Sequence, residues 1–166
     1  MPDIIFDCCV LSNFAVTDTL WIIEKLYSTK AYLTDLVKVE VIRGIQNRHE
    51  KLETINTAVK NGWIKEVFVK RKSEKQLFEK LLVSVGAGES SSIAIAKARG
   101  IVFASDDKAA RTEAELLGVP LTGTIGILLK ASKKKIISLQ QGNQILKAMI
   151  RNGLYCPIKS LSDISK

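Results

Sequence analysis

Four carboxylates, Asp7, Glu40, Glu89 and Asp106, stand where they could do chemistry together, although Glu89 serves equally as a first-turn residue favoured by a helix dipole and Glu40 as a surface residue at a stripe edge. Asp7 closes the apolar run Ile4-Ile5-Phe6, and Asp106 follows the run from Ile101 to Ala104 with only Ser105 between. Glu89 comes directly after Gly86-Ala87-Gly88, where a helical segment opens. Glu40 lies about 60° around a helix from Val37, at the edge of an apolar stripe of Val37, Val41 and Ile45. If one cleft gathers these acids, their repulsion calls for a divalent cation. An all-oxygen ligand set selects Mg²⁺ or Mn²⁺. At a phosphodiester, such an ion polarises a non-bridging oxygen and lowers the pKa of a bound water, so no histidine or cysteine base is required.

The neighbours of the acids each admit two duties. Ser12 or Asn13 orients a metal-bound water or Asp7, or else forms a turn. Asp107 either joins the ligands or caps the helix that follows Asp106. Arg111 either meets a phosphate or pairs with Asp107 at i, i+4 spacing. Asp7, ending a strand so early in the chain, has no evident capping or turn duty. The one histidine, His49, sits in the polar stretch Asn47-Arg48-His49-Glu50 and is expected to be exposed and non-catalytic. The cysteines are Cys8, Cys9 and Cys156; Cys8 and Cys9 are adjacent and poorly placed to bridge each other, which fits a reducing cytoplasm. Either of that pair is a nucleophile beside the acidic site or, the commoner case, a buried core thiol. Two other chemistries are disfavoured. Asp7 is followed by Cys8-Cys9, without the second aspartate of an aspartyl phosphatase, and Glu89 replaces the lysine that a phosphate-binding glycine loop needs.

The elements that must position these groups alternate. Ile4 to Phe6 reads as a strand followed by a loop, Leu20 to Tyr27 as a helix, and Ala31 to Leu33 as a strand. Thr34 or Asp35 caps the helix that carries Glu40. A polar helical stretch runs from about Arg48 to Asn61, Trp63 to Val69 is a strand, and Leu77, Phe78, Leu81, Leu82 and Val85 mark another helix. A helix from Ser90 to Arg99 follows Gly86-Ala87-Gly88-Glu89 and stops at Gly100. Then come the strand Ile101 to Ala104, a helix through Ala110, Ala114 and Leu117, and a short strand Val119 to Leu121. Helices starting at Gly123-Thr124-Ile125-Gly126 and covering Gln140 to Arg151 complete the chain. This alternation predicts an α/β protein with a central, mostly parallel sheet and helices on both faces. Ligands then bind beyond the carboxyl ends of the strands, which is where Asp7 and Asp106 fall.

The 166 residues, 46% hydrophobic and 25% charged, suit one globular domain spanning 1–166. The start of the chain has no basic leader, and no apolar run is long enough for a bilayer, so a cytoplasmic protein without membrane insertion is expected. A net charge of +8, dense from Lys65 to Lys80 and at Lys133-Lys134-Lys135, attracts polyanions such as nucleic acid.

In order and spacing, Ile5-Phe6-Asp7, Val10-Leu11-Ser12-Asn13, Glu40, Gly88-Glu89 and Ser105-Asp106-Asp107 resemble a PIN domain over nearly the whole chain. Gly123-Thr124-Ile125-Gly126 is similar to a bacterial and archaeal PIN-like subfamily. The resemblance implies a three-layer α/β/α fold and an endoribonuclease dependent on Mg²⁺ or Mn²⁺, with Asp7, Glu40, Glu89 and Asp106 as its acids. It also implies RNA as substrate, a homodimer and, where such a protein is a toxin, an antitoxin partner. Many relatives carry aspartate where this chain has Glu89, one methylene longer. The alternative is therefore a PIN-like module that binds RNA or a protein without cleaving.

Overall fold

The computed structural model describes residues 1–164. Ser165 and Lys166, the last two of the expected 1–166 domain, lie outside the described residues. The strands among the described residues are β1 (Ile4–Phe6), β2 (Ala31–Thr34), β3 (Ile64–Val67), β4 (Val102–Ala104) and β5 (Leu121–Thr122). They form one sheet in the order β3-β2-β1-β4-β5, with every pairing parallel. Parallel strands need crossovers, and helices supply them on both faces. The helices are α1 (Cys8–Val16), α2 (Leu20–Tyr27), α3 (Asp35–Gln46), α4 (Glu53–Lys60), α5 (Lys72–Leu81), α6 (Ala87–Arg99), α7 (Lys108–Leu116), α8 (Thr124–Lys133) and α9 (Leu139–Arg151).

Strand alternation divides the interior into two cores. Ile4, Phe6 and Ala104 face a larger core with Val10, Phe14, Ile23, Val37, Ile55, Ile127 and Leu146, contributed by helices α1 to α4, α8 and α9. Ile5 and Phe103 face a smaller one with Leu81, Ile93, Ala110 and Ala114, from α5, α6 and α7. The central strands are buried on both faces, which is why they read as continuous apolar runs and not as alternating ones. The result is the expected three-layer α/β/α architecture.

The chain moves outward from β1 through β2 to β3, then returns to the other side of β1 for β4 and β5. The reversal lies between β1 and β4, where Phe6 pairs with Ala104. Whatever follows those two residues meets at a switch point of the sheet, the crevice where open α/β sheets bind ligands. Asp7 follows one, and Ser105-Asp106 follows the other.

Several local expectations are corrected. The loop predicted after β1 is helix α1, with Val10, Leu11, Phe14 and Ala15 buried; it is apolar on most sides because it packs inside the larger core. The predicted helix from Arg48 is a 3-10 turn at Glu50–Leu52 followed by α4. β3 is shorter than Trp63 to Val69, and Leu82 and Val85 lie beyond the end of α5. β5 begins at Leu121, not Val119, because Pro120 before it has no N–H for the ladder and contributes only its carbonyl, to Phe103 N at 2.9 Å.

Away from the switch point, a buried carboxylate ties α5 to α6. Glu74 is wholly buried and accepts from the backbone N–H of Lys70 and Arg71 at 2.9 and 3.0 Å, and from Arg99 Nε at 2.8 Å. Arg99 also donates to the Phe68 carbonyl at 3.1 Å.

Candidate acidic site

Asp7 is the N-cap of α1. Its Oδ1 accepts from the Val10 backbone N–H at 3.0 Å, so the strand-end carboxylate does have a capping duty, contrary to the expectation from sequence. The Cys9 thiol donates to it at 3.1 Å, and the Ser105 hydroxyl is a further hydrogen-bond partner. Asp7 is only 2% exposed. Burial pushes its carboxyl up to about 7, with the negative charge of Asp106 adding to the shift; the bonds from Ser105, Val10 and Cys9 oppose it. An acid held near neutrality by burial beside another acid is a common mark of functional sites.

Asp106, half-buried, is held rigidly. Its Oδ1 accepts from the Thr124 backbone N–H at 2.9 Å, at the first turn of α8. Its Oδ2 accepts from the Thr124 hydroxyl at 2.5 Å and from Asn13 Nδ2 at 3.1 Å. Asn13, in the middle of α1, thus serves Asp106 and neither Asp7 nor a turn. Gly123 is needed for this approach, because a Cβ there would lie 2.5 Å from Asp106 Oδ1.

Glu40 and Glu89 form the second pair. Thr34 caps α3, accepting from Val37 N at 3.1 Å. Its hydroxyl also meets Ser91 Oγ at 2.8 Å, and Ser91 in turn donates to the Gly88 carbonyl. This chain of bonds docks the start of α3 on the start of α6, and it brings Glu40 to the Gly88 backbone N–H. Burial first, and the charge of Glu89 second, raise the Glu40 carboxyl above its ordinary range; the Gly88 N–H and Arg43 pull the other way. A Cβ on Gly88 would lie 2.5 Å from Glu40 Oε1. Gly88→Ala is accordingly expected to displace the Glu40 carboxylate at little cost in stability, since only the end of a flexible side chain must move and alanine favours the helix. RNA cleavage lowered by Gly88→Ala at an unchanged urea midpoint checks this, and a midpoint lowered by more than about 1 kcal/mol would show that Glu40 cannot yield.

Cys8 stands between the two pairs. Its thiol is pushed up to about 11, mainly by burial, with the charges of Glu40, Asp7 and Glu89 adding to it and the Ser12 bond opposing. It is therefore a neutral thiol at physiological pH and no nucleophile. Ser12 contacts Cys8 Sγ at 3.6 Å, and the acids' hydrogen bonds come from elsewhere.

The remaining predicted residues support the frame. Asp107 caps α7, accepting from Ala110 N at 2.8 Å. Arg111 donates to the carbonyls of Ser105 and Thr122 at 2.8 and 3.0 Å, binding the ends of β4 and β5 together; it does not pair with Asp107. Sequence reasoning gave Thr124, Ser105 and Gly123 no role in the site and placed Cys8 or Cys9 beside it only as a nucleophile; Cys9, expected as a core thiol, is exposed. The available signal was Gly123-Thr124, a glycine and a hydroxyl residue opening a helix just after the last strand.

The donor set suits a hard divalent cation: carboxylate oxygens, one of them poorly solvated, with no thiolate or imidazole among them. As placed, the acids stand as two pairs, Asp7 with Asp106 and Glu40 with Glu89. Among the described residues no group of three or more His, Cys, Asp or Glu side chains is arranged to hold a metal ion.

A family model described as a PIN domain matches residues 3–166, and the chain belongs to that family. PIN domains are generally nucleases, commonly act on RNA and usually use divalent metal ions. No curated protein matches the chain. No helix among the described residues is long and apolar enough to cross a membrane.

Proposed function

We propose that this protein is an endoribonuclease dependent on Mg²⁺ or Mn²⁺, with Asp7, Glu40, Glu89 and Asp106 as its acids. The observation that carries this is the meeting of Asp7 and Asp106 at the switch point of the sheet, with Glu40 and Glu89 across Cys8. When bound, the ion would supply charge neutralisation for the phosphodiester and a more acidic water. Asp106, fixed by three donors, gives a preorganised anionic wall that needs no reorganisation when substrate arrives. Asp7, protonated up to about pH 7 while buried, can give up its proton to solvent as positive charge enters the site. Glu40 and Glu89, whose mutual repulsion a cation would relieve, would be the other carboxylates to hold it.

The test is incubation of purified protein with mixed RNAs, with Mn²⁺ or with EDTA. Cleavage with Mn²⁺ and none with EDTA is expected; cleavage that survives EDTA overturns the metal site. The separation of the acids into two pairs favours one alternative, a module that binds RNA or a protein without cleaving. Binding without cleavage at any Mn²⁺ concentration would identify it. A toxin role, an antitoxin partner, a homodimer and a cytoplasmic location belong to the same proposal. Growth arrest on expression, relieved by a co-purifying small protein, tests the first two.

A further inference from the structure

A groove of about 710 Å³ opens beside Asp106 along β5, the edge strand of the sheet. Lys108, Arg111, Glu115, Tyr155 and Pro157 are among the residues that line it. Tyr155 is 92% exposed, a large aromatic ring presented to water. Its position is imposed, because its neighbours Leu154 and Cys156 pack against the larger core, so the residue between them points outward. The segment is pinned further on, where Leu161 is buried and its backbone N–H donates to Asn143 Oδ1 at 2.7 Å. Lys108 is exposed, and its ammonium forms no ion pair among the described residues. Arg111 adds positive charge, though its Nη1 is committed to backbone carbonyls. Glu115 is the carboxylate of the wall besides Asp106, and the two offset Lys108 and Arg111, so attraction of a phosphate rests on Lys108 in particular.

We infer that this groove is a subsite for an unpaired nucleotide of single-stranded RNA flanking the scissile phosphate, with its base stacked on Tyr155 and its phosphate met by Lys108. The inference rests on the nuclease function proposed above, and it adds a preference that the acids cannot supply. An exposed ring offers a face to an unpaired base and none to a base held in a duplex, and such stacking is tolerant of sequence. A cationic side chain beside it meets the backbone.

The test measures fluorescence anisotropy of a labelled, short single-stranded oligoribonucleotide with full-length Asp7→Asn protein, alone and combined with Tyr155→Ala. Tyr155→Ala is expected to weaken binding about tenfold, and Tyr155→Trp to restore it. A fully paired duplex of the same length should bind equally with and without the ring. In the otherwise unaltered enzyme, Tyr155→Ala should raise KM for single strands with little change in kcat. Thermal melts establish that the exposed substitution leaves the fold intact. Affinity for single strands that Tyr155→Ala leaves unchanged, or no binding to single strands, overturns the subsite and leaves the groove to a protein partner. The two ideas fail separately. A protein that binds single strands through Tyr155 but never cleaves keeps the subsite and loses the nuclease, whereas cleavage indifferent to Tyr155 does the reverse.

Discussion

Asp7→Asn is expected to lower RNA cleavage about a hundredfold or more while making the metal-free protein more stable at pH 8. The loss of activity follows from removing one carboxylate from a site that must attract a cation, whose charge stabilisation is worth several kcal/mol. The gain in stability follows from burial. Asp7 is 2% exposed and its carboxyl is pushed up to about 7, so the folded protein resists its ionisation while the unfolded chain does not. Below about pH 4 both states hold the proton and the substitution is near neutral in this respect. As pH rises from about 4 to about 7, the unfolded chain ionises first and the wild-type protein loses stability; above that range the loss is complete. Asparagine escapes this loss, on the order of 4 kcal/mol for a carboxyl raised from 3.8 to about 7, and keeps the cap on α1, since it serves as well as aspartate there. Urea unfolding in EDTA at pH 4 and pH 8 measures the difference. A stability difference that does not change between those pH values, or undiminished cleavage, would sink the idea that the buried Asp7 carboxyl is kept for function at the expense of the fold.

Arg99→Ala is expected to destabilise the protein by roughly 1–3 kcal/mol at pH 7, because it leaves the wholly buried Glu74 carboxylate with two backbone donors and the more distant Arg71 Nε, at 3.8 Å. Burial alone would raise the Glu74 carboxyl; the Arg99 hydrogen bond, the Lys70 and Arg71 N–H groups and the Arg99 charge together outweigh it and hold it at about 2. A depressed folded value gives stability that is present above the unfolded value near 4.5 and is lost as pH falls toward 2. The wild-type advantage over Arg99→Ala should therefore shrink across that window. Adding Glu74→Gln to Arg99→Ala should recover part of the loss, since a neutral buried amide costs less than a buried charge that has lost its nearer partner. Glu89 lies at the other end of α6, ten residues from Arg99 and so about 15 Å along the helix axis. RNA cleavage at low temperature should consequently survive Arg99→Ala. A cost below about 1 kcal/mol, the range of exposed pairs, or one independent of pH, would show the pair to be solvated.

The contrast between these two buried carboxyls separates a structural lock from the acid proposed for function. Glu74 has every partner it needs within the fold. Asp7 has another acid beside it and a pKa shift in the opposite direction. The sequence singles out Asp7 by the apolar run it closes, but nothing in the polar segment from Arg71 to Gln76 marks Glu74 as buried.

Local pattern carried much of the rest. The apolar runs at Ile4 and Ile101, the helical stripe through Val37 and the stop at Gly100 are effects of a few adjacent residues, and they appear in the structure close to where the pattern puts them. With alternating strands and helices, they determined a parallel sheet and put Asp7 and Asp106 at carboxyl ends. Helix α1 escaped because Cys8-Cys9 and Ser12-Asn13 look like strand and turn, and only burial on most sides makes that apolar segment a good helix. Asp7 then acquired a cap that no window of residues revealed.

What the amino-acid sequence determined by itself was the elements, their order and the acids that end them. What the tertiary structure alone decided was who meets whom. Asn13 reaches Asp106 across 93 residues and Thr124 across 111, and Glu40 meets Glu89 only because Thr34 and Ser91 dock two helices. Periodicity is set by steric repeats a few residues long, whereas these contacts depend on the return of the chain across β1, a choice made by the burial of both faces of the sheet together.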